Sequence, residues 1–191
     1  PNAAGRMLVS APLSAIPFLH ESVMTRPCLP FDPHPRTPAW RPPPGACDAH
    51  VHIFQDYARY PLSPNRSFTP PEAPLSALFD MHRVIGIERA VIVHSSAYGT
   101  DTRVSAAAVA SAPDRLRGVA VTGPDTPERE LEALNAAGFC GSRLSTVVKG
   151  TPGFEALEAI AARIKPFDWH IAVHVNRSQE LVDLAPRLLA T

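Results

Sequence analysis

The 191-residue sequence is poor in cysteine and lacks both a charge excess of one sign and a long apolar run. Its three cysteines, Cys28, Cys47 and Cys140, are odd in number, widely spaced and form no C-x-x-C pair. This usage disfavours a disulfide framework and a structural zinc ribbon, and it predicts a reducing, cytoplasmic location. The 18 basic and 18 acidic residues cancel, which argues against nucleic-acid and polybasic membrane partners. No apolar run reaches the ~18 residues that a membrane-spanning helix needs.

Proline, by contrast, is abundant and unevenly placed. Half of the 22 prolines precede residue 47, and eight lie in residues 27–44, PCLPFDPHPRTPAWRPPP. Proline fixes φ and has no N–H to donate, which excludes helix and most strand pairing. We therefore predict that residues 1–46 form an extended arm outside the core. Residues 1–23 have no core periodicity and are expected to precede a natural start at Met24, although a signal peptide over residues 7–19 is the alternative.

From Cys47 onward, apolar runs of strand length alternate with helical patterns. Pro74, Asp101 and Thr126 are typical of helix starts, and Gly86 is typical of a helix end. This alternation predicts an α/β domain over residues 47–191, in which a parallel sheet is covered by helices. The strands are predicted at 47–54, 87–94, 116–121, 139–145 and 169–175, and the helices at 74–86, 102–112, 126–138, 153–164 and 178–189. Since a closed (β/α)8 barrel needs ~250 residues, the pattern fits either a smaller open sheet or part of a barrel.

The strongest chemical signal is CDAHVHIF at residues 47–54. Side chains at every second position of a strand share a face, so Asp48, His50 and His52 are predicted to point the same way. Two imidazoles on one face, at the carboxyl end of a first strand, suit a divalent metal or an anionic intermediate. The alternative is a pair of ordinary histidines. Neither a G-x-S-x-G elbow nor a P-loop offers a different chemistry.

These motifs resemble the amidohydrolase superfamily, and in particular its branch of TIM-barrel hydrolases that includes 2-pyrone-4,6-dicarboxylate lactonases. The resemblance implies a (β/α)8 TIM barrel of which only about the first five βα units are present, so a C-terminally truncated chain is expected. The matching segments are PPPGACDAHVHIF (42–54), RYPLSPNRSFTPPEAP (59–74), GIERAVIVHSSAYGTD (86–101), RLRGVAV (115–121), AAGFCGSRL (136–144) and WHIAVHV (169–175).

The resemblance also implies roles for individual residues. His50 and His52 would be catalytic and would bind a divalent metal, zinc or manganese, although this branch also works without metal. Ser96, Tyr98 and Thr100 would line the substrate pocket. Arg143 would bind a substrate carboxylate, for which a planar guanidinium fork is well suited; a surface salt bridge is the alternative. His174, at the end of the fifth predicted strand, would also belong to the site.

Other positions depart from the family pattern or lie outside the sequence. His94 stands where the branch usually has glutamine, and is either a substrate contact or a buried structural histidine. Lys149 is either a second anion contact or an exposed lysine. A further histidine and the aspartate that serves as general base are expected beyond residue 191.

The predicted function is hydrolysis of a lactone of a small mono- or dicarboxylic acid. The alternatives are a metal-dependent decarboxylase of the same superfamily and a non-catalytic truncated barrel. The predicted partner is a small carboxylate or lactone substrate, with neither nucleic acid nor membrane. Open edges on the first and fifth strands also predict association, including homo-oligomers.

Overall fold

A computed structural model describes residues 26–191 as a parallel sheet with helical connections. The predictions for residues 1–23 and Met24 lie outside these described residues. The strands are β1 (Arg26–Pro27), β2 (Cys47–Val51), β3 (Phe68–Thr69), β4 (Arg89–Val93), β5 (Leu116–Ala120), β6 (Phe139–Ser145) and β7 (His170–His174). The α-helices are α1 (Leu75–Ile85), α2 (Arg103–Ser111), α3 (Glu128–Ala136), α4 (Leu157–Ile164) and α5 (Ser178–Ala190). Short 3-10 turns cover Ser96–Tyr98, Phe154–Ala156 and Lys165–Phe167.

The main sheet has five strands in the order β2-β4-β5-β6-β7, and every neighbouring pair is parallel. Each of these five strands leads along the chain to one of the helices α1 to α5. Helix α2 packs against β5, while α3 and α4 pack against β6. This arrangement confirms the predicted α/β half-barrel with five βα units. Because the strands are parallel, their carboxyl ends meet at one edge, where the loops that follow them converge.

The helix ends follow the local sequence signals. Helix α1 starts after Pro74 and ends at Gly86, whose φ of 82° is left-handed and whose N–H donates to the His82 carbonyl at 2.8 Å. Glycine reaches this conformation without the steric cost of a Cβ atom. Helix α2 starts where the Asp101 carboxylate accepts the Arg103 N–H at 3.2 Å. Both ends were predicted from the sequence.

The core lies between the sheet and its helices. It is built from aliphatic side chains on the strands, such as Ile92, Leu116 and Leu144, and on the helices, such as Leu131 and Ile160, each at most 1% exposed. Shortening one such side chain to alanine removes about 2–5 kcal/mol of stability. No helix within residues 26–191 is long and apolar enough to cross a membrane.

The described part of the proline-rich arm has no helix and contacts the domain at several places, including Gly45, whose N–H donates to the Glu88 carboxylate at 2.9 Å. Its first residues form the short β1–β3 pair, and the Cys28 N–H donates to the Thr69 carbonyl at 3.1 Å. Farther along, Phe31 lines a cavity together with Met81 of α1. Trp40 is 70% exposed, and Phe31 is also partly exposed, at 44%.

Candidate active site

Strands β6 and β7 bring Arg143, Ser145 and His174 together at their carboxyl ends. The strand register pairs Ser145 with His174, and Arg143 lies two residues before Ser145 on the same face. The Arg143 guanidinium donates to His174 Nδ1 at 2.7 Å, and Ser145 Oγ lies 3.1 Å from the same nitrogen. A contact between residues 31 positions apart in the chain is therefore a consequence of the sheet register.

Strand β2 supplies the histidine pair. The rings of His50 and His52 meet edge to face, with 5.1 Å between their centroids. His52 Nδ1 lies 2.7 Å from the carbonyl oxygen of Val93, the last residue of β4. Because a carbonyl can only accept, Nδ1 carries the proton and Nε2 keeps its lone pair. His52 is thus oriented to bind a metal or accept a proton through Nε2.

Asp48 does not share the face of the histidine pair, which corrects the prediction from strand alternation. The pairing of β2 with β4 shifts between Asp48 and Val51, where three steps along β2 match two along β4. A bulge of this kind inverts the alternation of side chains. The Asp48 carboxylate contacts His82 Nε2 of α1 at 3.2 Å, and its other oxygen accepts the His50 N–H at 3.2 Å. Asp48 therefore lies behind the histidine pair, against a helix.

Desolvation and the positive charge of Arg143 favour the neutral forms of the site histidines. Burial is the main cause that lowers the pKa of His50, His52 and His174, and the charge of Arg143 lowers each of them further. The negative charge of Asp48, by contrast, raises the pKa of His50. These four basic residues share one electrostatic environment, which we call the histidine–arginine cluster: His50, His52, Arg143 and His174.

Arg143 is a buried cation without an acidic partner. Arg143 is 7% exposed, and none of the ion pairs among residues 26–191 includes it. Burial lowers the pKa of its guanidinium. A desolvated charge without a counter-ion is costly. The arrangement therefore favours an anionic ligand in the cluster and disfavours the alternative of a surface salt bridge.

The loop after β4 is mostly inside the protein. Ser96 and Tyr98 are buried, whereas Thr100 is exposed. The Tyr98 hydroxyl accepts the Gln55 N–H at 3.2 Å, and its ring stacks on Phe54 with 6.0 Å between centroids. Tyr98 thereby ties the loop after β4 to the loop after β2. The assignment of Ser96, Tyr98 and Thr100 to substrate binding stays a prediction.

His94 is a buried histidine with both ring nitrogens engaged. Nδ1 lies 2.9 Å from Ser105 Oγ, and Nε2 lies 3.1 Å from the Gly99 carbonyl. Burial lowers the pKa of His94 to about 4. With no free ring nitrogen, His94 fits the structural alternative and not the substrate contact. Lys149 is exposed, in agreement with the simpler of its two interpretations.

His50 and His52 can supply part of a metal site. Histidine ligands usually donate their second ring nitrogen to a carbonyl or carboxylate, as His52 does to Val93. Within the described residues, no group of three or more His, Cys, Asp and Glu side chains is arranged to hold a metal ion. The histidine pair is therefore compatible with two ligands of a metal centre, and other ligands would come from elsewhere.

Sequence reasoning missed Ser145 as a site residue. Its hydroxyl contacts His174 Nδ1 and also accepts the Val147 N–H at 3.1 Å and the Val148 N–H at 3.4 Å. The available signal was its position two residues after Arg143, which puts both side chains on one face of β6.

Comparison with known proteins identifies the family of this chain. The sequence model of the amidohydrolases matches residues 47–188, which include every member of the histidine–arginine cluster. The chain belongs to the amidohydrolase family. Members of this family are often metal-dependent.

The names of several curated relatives describe enzymes that act on lactones. The chain is 34% identical over 154 residues to 2-pyrone-4,6-dicarboxylate hydrolase from Comamonas testosteroni, covering 79% of this chain and 49% of that protein. It is 31% identical to 4-sulfomuconolactone hydrolase from Hydrogenophaga intermedia, covering 76% and 49%. It is also 31% identical to D-galactarolactone isomerase from Agrobacterium fabrum, covering 76% and 50%. The chain spans about half the length of the curated relatives it matches.

Two solved structures agree with the fold. An apo structure from Agrobacterium tumefaciens superimposes with a TM-score of 0.69 at 28% identity, covering 77% of this chain and 53% of that one. A protein from Acinetobacter baumannii, described as a probable 2-pyrone-4,6-dicarboxylic acid hydrolase and solved with citric acid bound, gives a TM-score of 0.66 at 26% identity, covering 75% and 54%.

Proposed function

We propose that this chain carries the histidine pair and the carboxylate-binding arginine of an enzyme that hydrolyses a lactone of a small dicarboxylic acid. The observation that carries the proposal is Arg143, a buried guanidinium whose neighbours are neutral imidazoles and which has no acidic partner among residues 26–191. A substrate carboxylate would supply the missing counter-ion. The names of the relatives, a pyrone dicarboxylate hydrolase and a sulfomuconolactone hydrolase, support a substrate that is both a lactone and an anion.

The guanidinium has enough donors to hold the substrate and His174 together. Arginine carries five N–H groups in a planar fork, and one of them is used on His174 Nδ1. The remaining donors match the two oxygens of a carboxylate, and such bidentate pairs fix orientation as well as affinity. Arg143 would thus place the lactone ring next to the histidine pair.

His52 would act on the reacting end of the substrate. Its Nδ1 is fixed by Val93 and its ring is neutral, so Nε2 is available as an acceptor. If zinc or manganese binds, His50 and His52 would hold it, and such an ion would make the lactone carbonyl more electrophilic and its bound water more acidic. With or without metal, the fixed positive charge of Arg143 would favour negative charge developing on the attacked carbonyl oxygen.

The location and assembly of the enzyme belong to the same proposal. The three cysteines are free thiols, which supports a reducing cytoplasm. Within the described residues, β2 and β7 form the two edges of the main sheet. We infer that these edges pair with further strands, supplied by the same polypeptide or by another copy.

The test compares a dicarboxylate lactone with a neutral one. Arg143→Lys keeps the charge but loses the fork, so KM for 2-pyrone-4,6-dicarboxylate should rise by tenfold for each ~1.4 kcal/mol of lost binding. Losses of about 2–5 kcal/mol are typical when one partner of a buried charge pair is truncated. The unsubstituted 2-pyrone should be affected much less. Arg129→Lys, an exposed change on α3, is the control.

Three results would contradict the proposal. Equal, unchanged kinetics for both lactones in Arg143→Lys would make Arg143 a structural residue. Release of carbon dioxide from the dicarboxylate without ring opening would favour the decarboxylase. Absence of any lactone turnover by the enzyme, with or without added zinc or manganese, would favour a non-catalytic protein.

A further inference from the structure

A side chain stabilises the backbone at the bulge in β2. Three steps along β2, from Asp48 to Val51, match two steps along β4. The extra residue of such a bulge is left unpaired in the sheet ladder. At this point the Asp48 carboxylate accepts the His50 N–H at 3.2 Å through Oδ1. Asp48 therefore holds the backbone where the side chains of β2 change from the face of α1 to the face of the histidine–arginine cluster.

The second oxygen of Asp48 is held by helix α1. His82 Nε2 lies 3.2 Å from Asp48 Oδ2, and because a carboxylate can only accept, Nε2 donates. His82 is 1% exposed and lies in the last turn of α1, where its carbonyl accepts the N–H groups of Gly86 at 2.8 Å and Ile87 at 2.9 Å. The donor to Asp48 is thus fixed by the end of a helix.

The other ring nitrogen of His82 does not contribute to stability. Nδ1 is buried and has no hydrogen-bond partner among residues 26–191. An unpartnered buried polar atom costs stability, which an aliphatic side chain of similar size would avoid. The polar contact that His82 does make is the one with Asp48. The use of a histidine at this buried position is therefore explained by its hold on the carboxylate.

We infer that Asp48 and His82 are positioning residues that hold His50 beside His52 for the opening of the lactone. The inference rests on the proposed lactone hydrolase function and adds two residues outside the histidine–arginine cluster. The contacts run from the end of α1 through the His82 ring and the Asp48 carboxylate to the His50 backbone. Both residues act through His50 and not on the substrate itself.

The ring of His50 depends on this support more than the ring of His52. His52 is fixed separately, because its Nδ1 donates to the Val93 carbonyl at 2.7 Å. His50 is exposed, and its ring meets the His52 ring edge to face. Its position therefore follows from the backbone that Asp48 holds. Since a misplacement of about 1 Å can cost about 100-fold in rate, a small shift of this backbone should lower kcat.

Ring contacts test the positioning without turnover. Nuclear Overhauser effects are measured between the ring protons of His50 and His52, whose centroids lie 5.1 Å apart. The effects should be weaker in Asp48→Ala and in His82→Leu than in the wild type, and His82→Gln should restore them because its amide N–H can replace the donor. The contact between the rings of His94 and Tyr98 is the internal control and should not change. Unchanged effects between His50 and His52 in both variants would overturn the inference.

Kinetics separate positioning from a purely structural role. His82→Leu should lower kcat for 2-pyrone-4,6-dicarboxylate by about 10–100-fold, as is typical when a supporting contact of a site histidine is lost. KM should stay within about twofold because Arg143 is unchanged, and the Tm should be preserved. His82→Gln should recover kcat to within about threefold of the wild type. Asp80→Ala, which removes an exposed carboxylate from the same helix, is the matched control and should keep wild-type kinetics.

The remaining outcomes are distinct from one another. An unchanged kcat in His82→Leu, or a loss of kcat that follows a lower Tm, would overturn the inference. If His82→Leu does not fold, Asp48→Ala decides by the same measurements. If no lactone is turned over while the ring contacts respond as expected, the proposed function fails and the positioning of His50 by Asp48 and His82 stands.

Discussion

Replacing Arg143 with methionine should separate ligand binding from folding stability. Arg143 is 7% exposed and unpaired with any acidic side chain of residues 26–191, so the unliganded protein keeps a buried cation without a counter-ion. Methionine has a similar length and no charge. Removing the cation relieves its desolvation cost, while the lost contact with His174 costs about 1 kcal/mol. We expect the unliganded Arg143→Met variant to be as stable as the wild type or more stable, by about 0.5–2 kcal/mol, as is common when a functional residue is replaced.

The same variant should lose its response to an anionic ligand. A ligand at one hundred times its Kd adds about 2.7 kcal/mol to the free energy of unfolding. For a chain of this size, each kcal/mol raises the Tm by about 2–4 °C, so saturating 2-pyrone-4,6-dicarboxylate should raise the wild-type Tm by about 5–10 °C. In Arg143→Met this increase should nearly disappear. Scanning calorimetry with and without the ligand measures both effects.

An exposed arginine provides the matched control. Arg129 on α3 is exposed, and Arg129→Met should preserve the ligand-induced rise in Tm. The reasoning fails if Arg143→Met loses several kcal/mol without ligand, because the arginine would then stabilise the fold. It also fails if the ligand raises the Tm of both variants equally, because the carboxylate would then bind elsewhere.

Three further predictions concern the histidines and their partners. His50→Ala combined with His52→Ala should abolish stoichiometric zinc or manganese, and equal metal in variant and wild type by elemental analysis would remove the ligand role. His94 has a folded-state pKa of about 4, below the ~6.5 of an unfolded chain, so the unfolded state binds the proton first as pH falls. The stability that neutral His94 contributes is therefore fully present above pH ~6.5 and is lost as the pH falls towards ~4, a change on the order of 3 kcal/mol. In urea unfolding, His94→Gln should lose less free energy of unfolding than the wild type over this pH range. An equal dependence of the free energy of unfolding on pH in the two proteins would contradict the assignment. Asp48→Ala should lower the free energy of unfolding by about 1–3 kcal/mol, because buried His82 loses its partner. The cost should shrink in a His82→Leu background, and strictly additive effects would rule out the coupling.

Local signals in the sequence were sufficient for the architecture. Runs of strand length, capping residues such as Asp101 and terminators such as Gly86 are read over a few residues, and the structure confirmed the five βα units that they predicted. The period of two along a strand also anticipated that His50 and His52 would be neighbours, and their rings lie 5.1 Å apart. These features were predictable because backbone geometry and side-chain alternation are local properties.

The family resemblance in the sequence identified chemically relevant residues, but it did not show which residues contact one another. Arg143 and His174 were recognised as separate site residues, but their direct contact was not. Ser145 was overlooked, although its hydroxyl completes the contacts of His174 Nδ1. For His94 the sequence left two roles open, a substrate contact or a buried structural histidine. Its buried contacts with Ser105 and Gly99 favour the structural role.

Only the tertiary structure decided which atoms of these residues are available. A shift in register between β2 and β4 turned Asp48 towards α1, contrary to the simple alternation of a regular strand. The carbonyl of Val93 fixed the proton of His52 on Nδ1, whereas Arg143 fixed that of His174 on Nε2. These outcomes depend on partners contributed by other strands and helices. A proton position or a bulge is set by contacts between segments distant in the chain, and such contacts exist only after the sheet has formed.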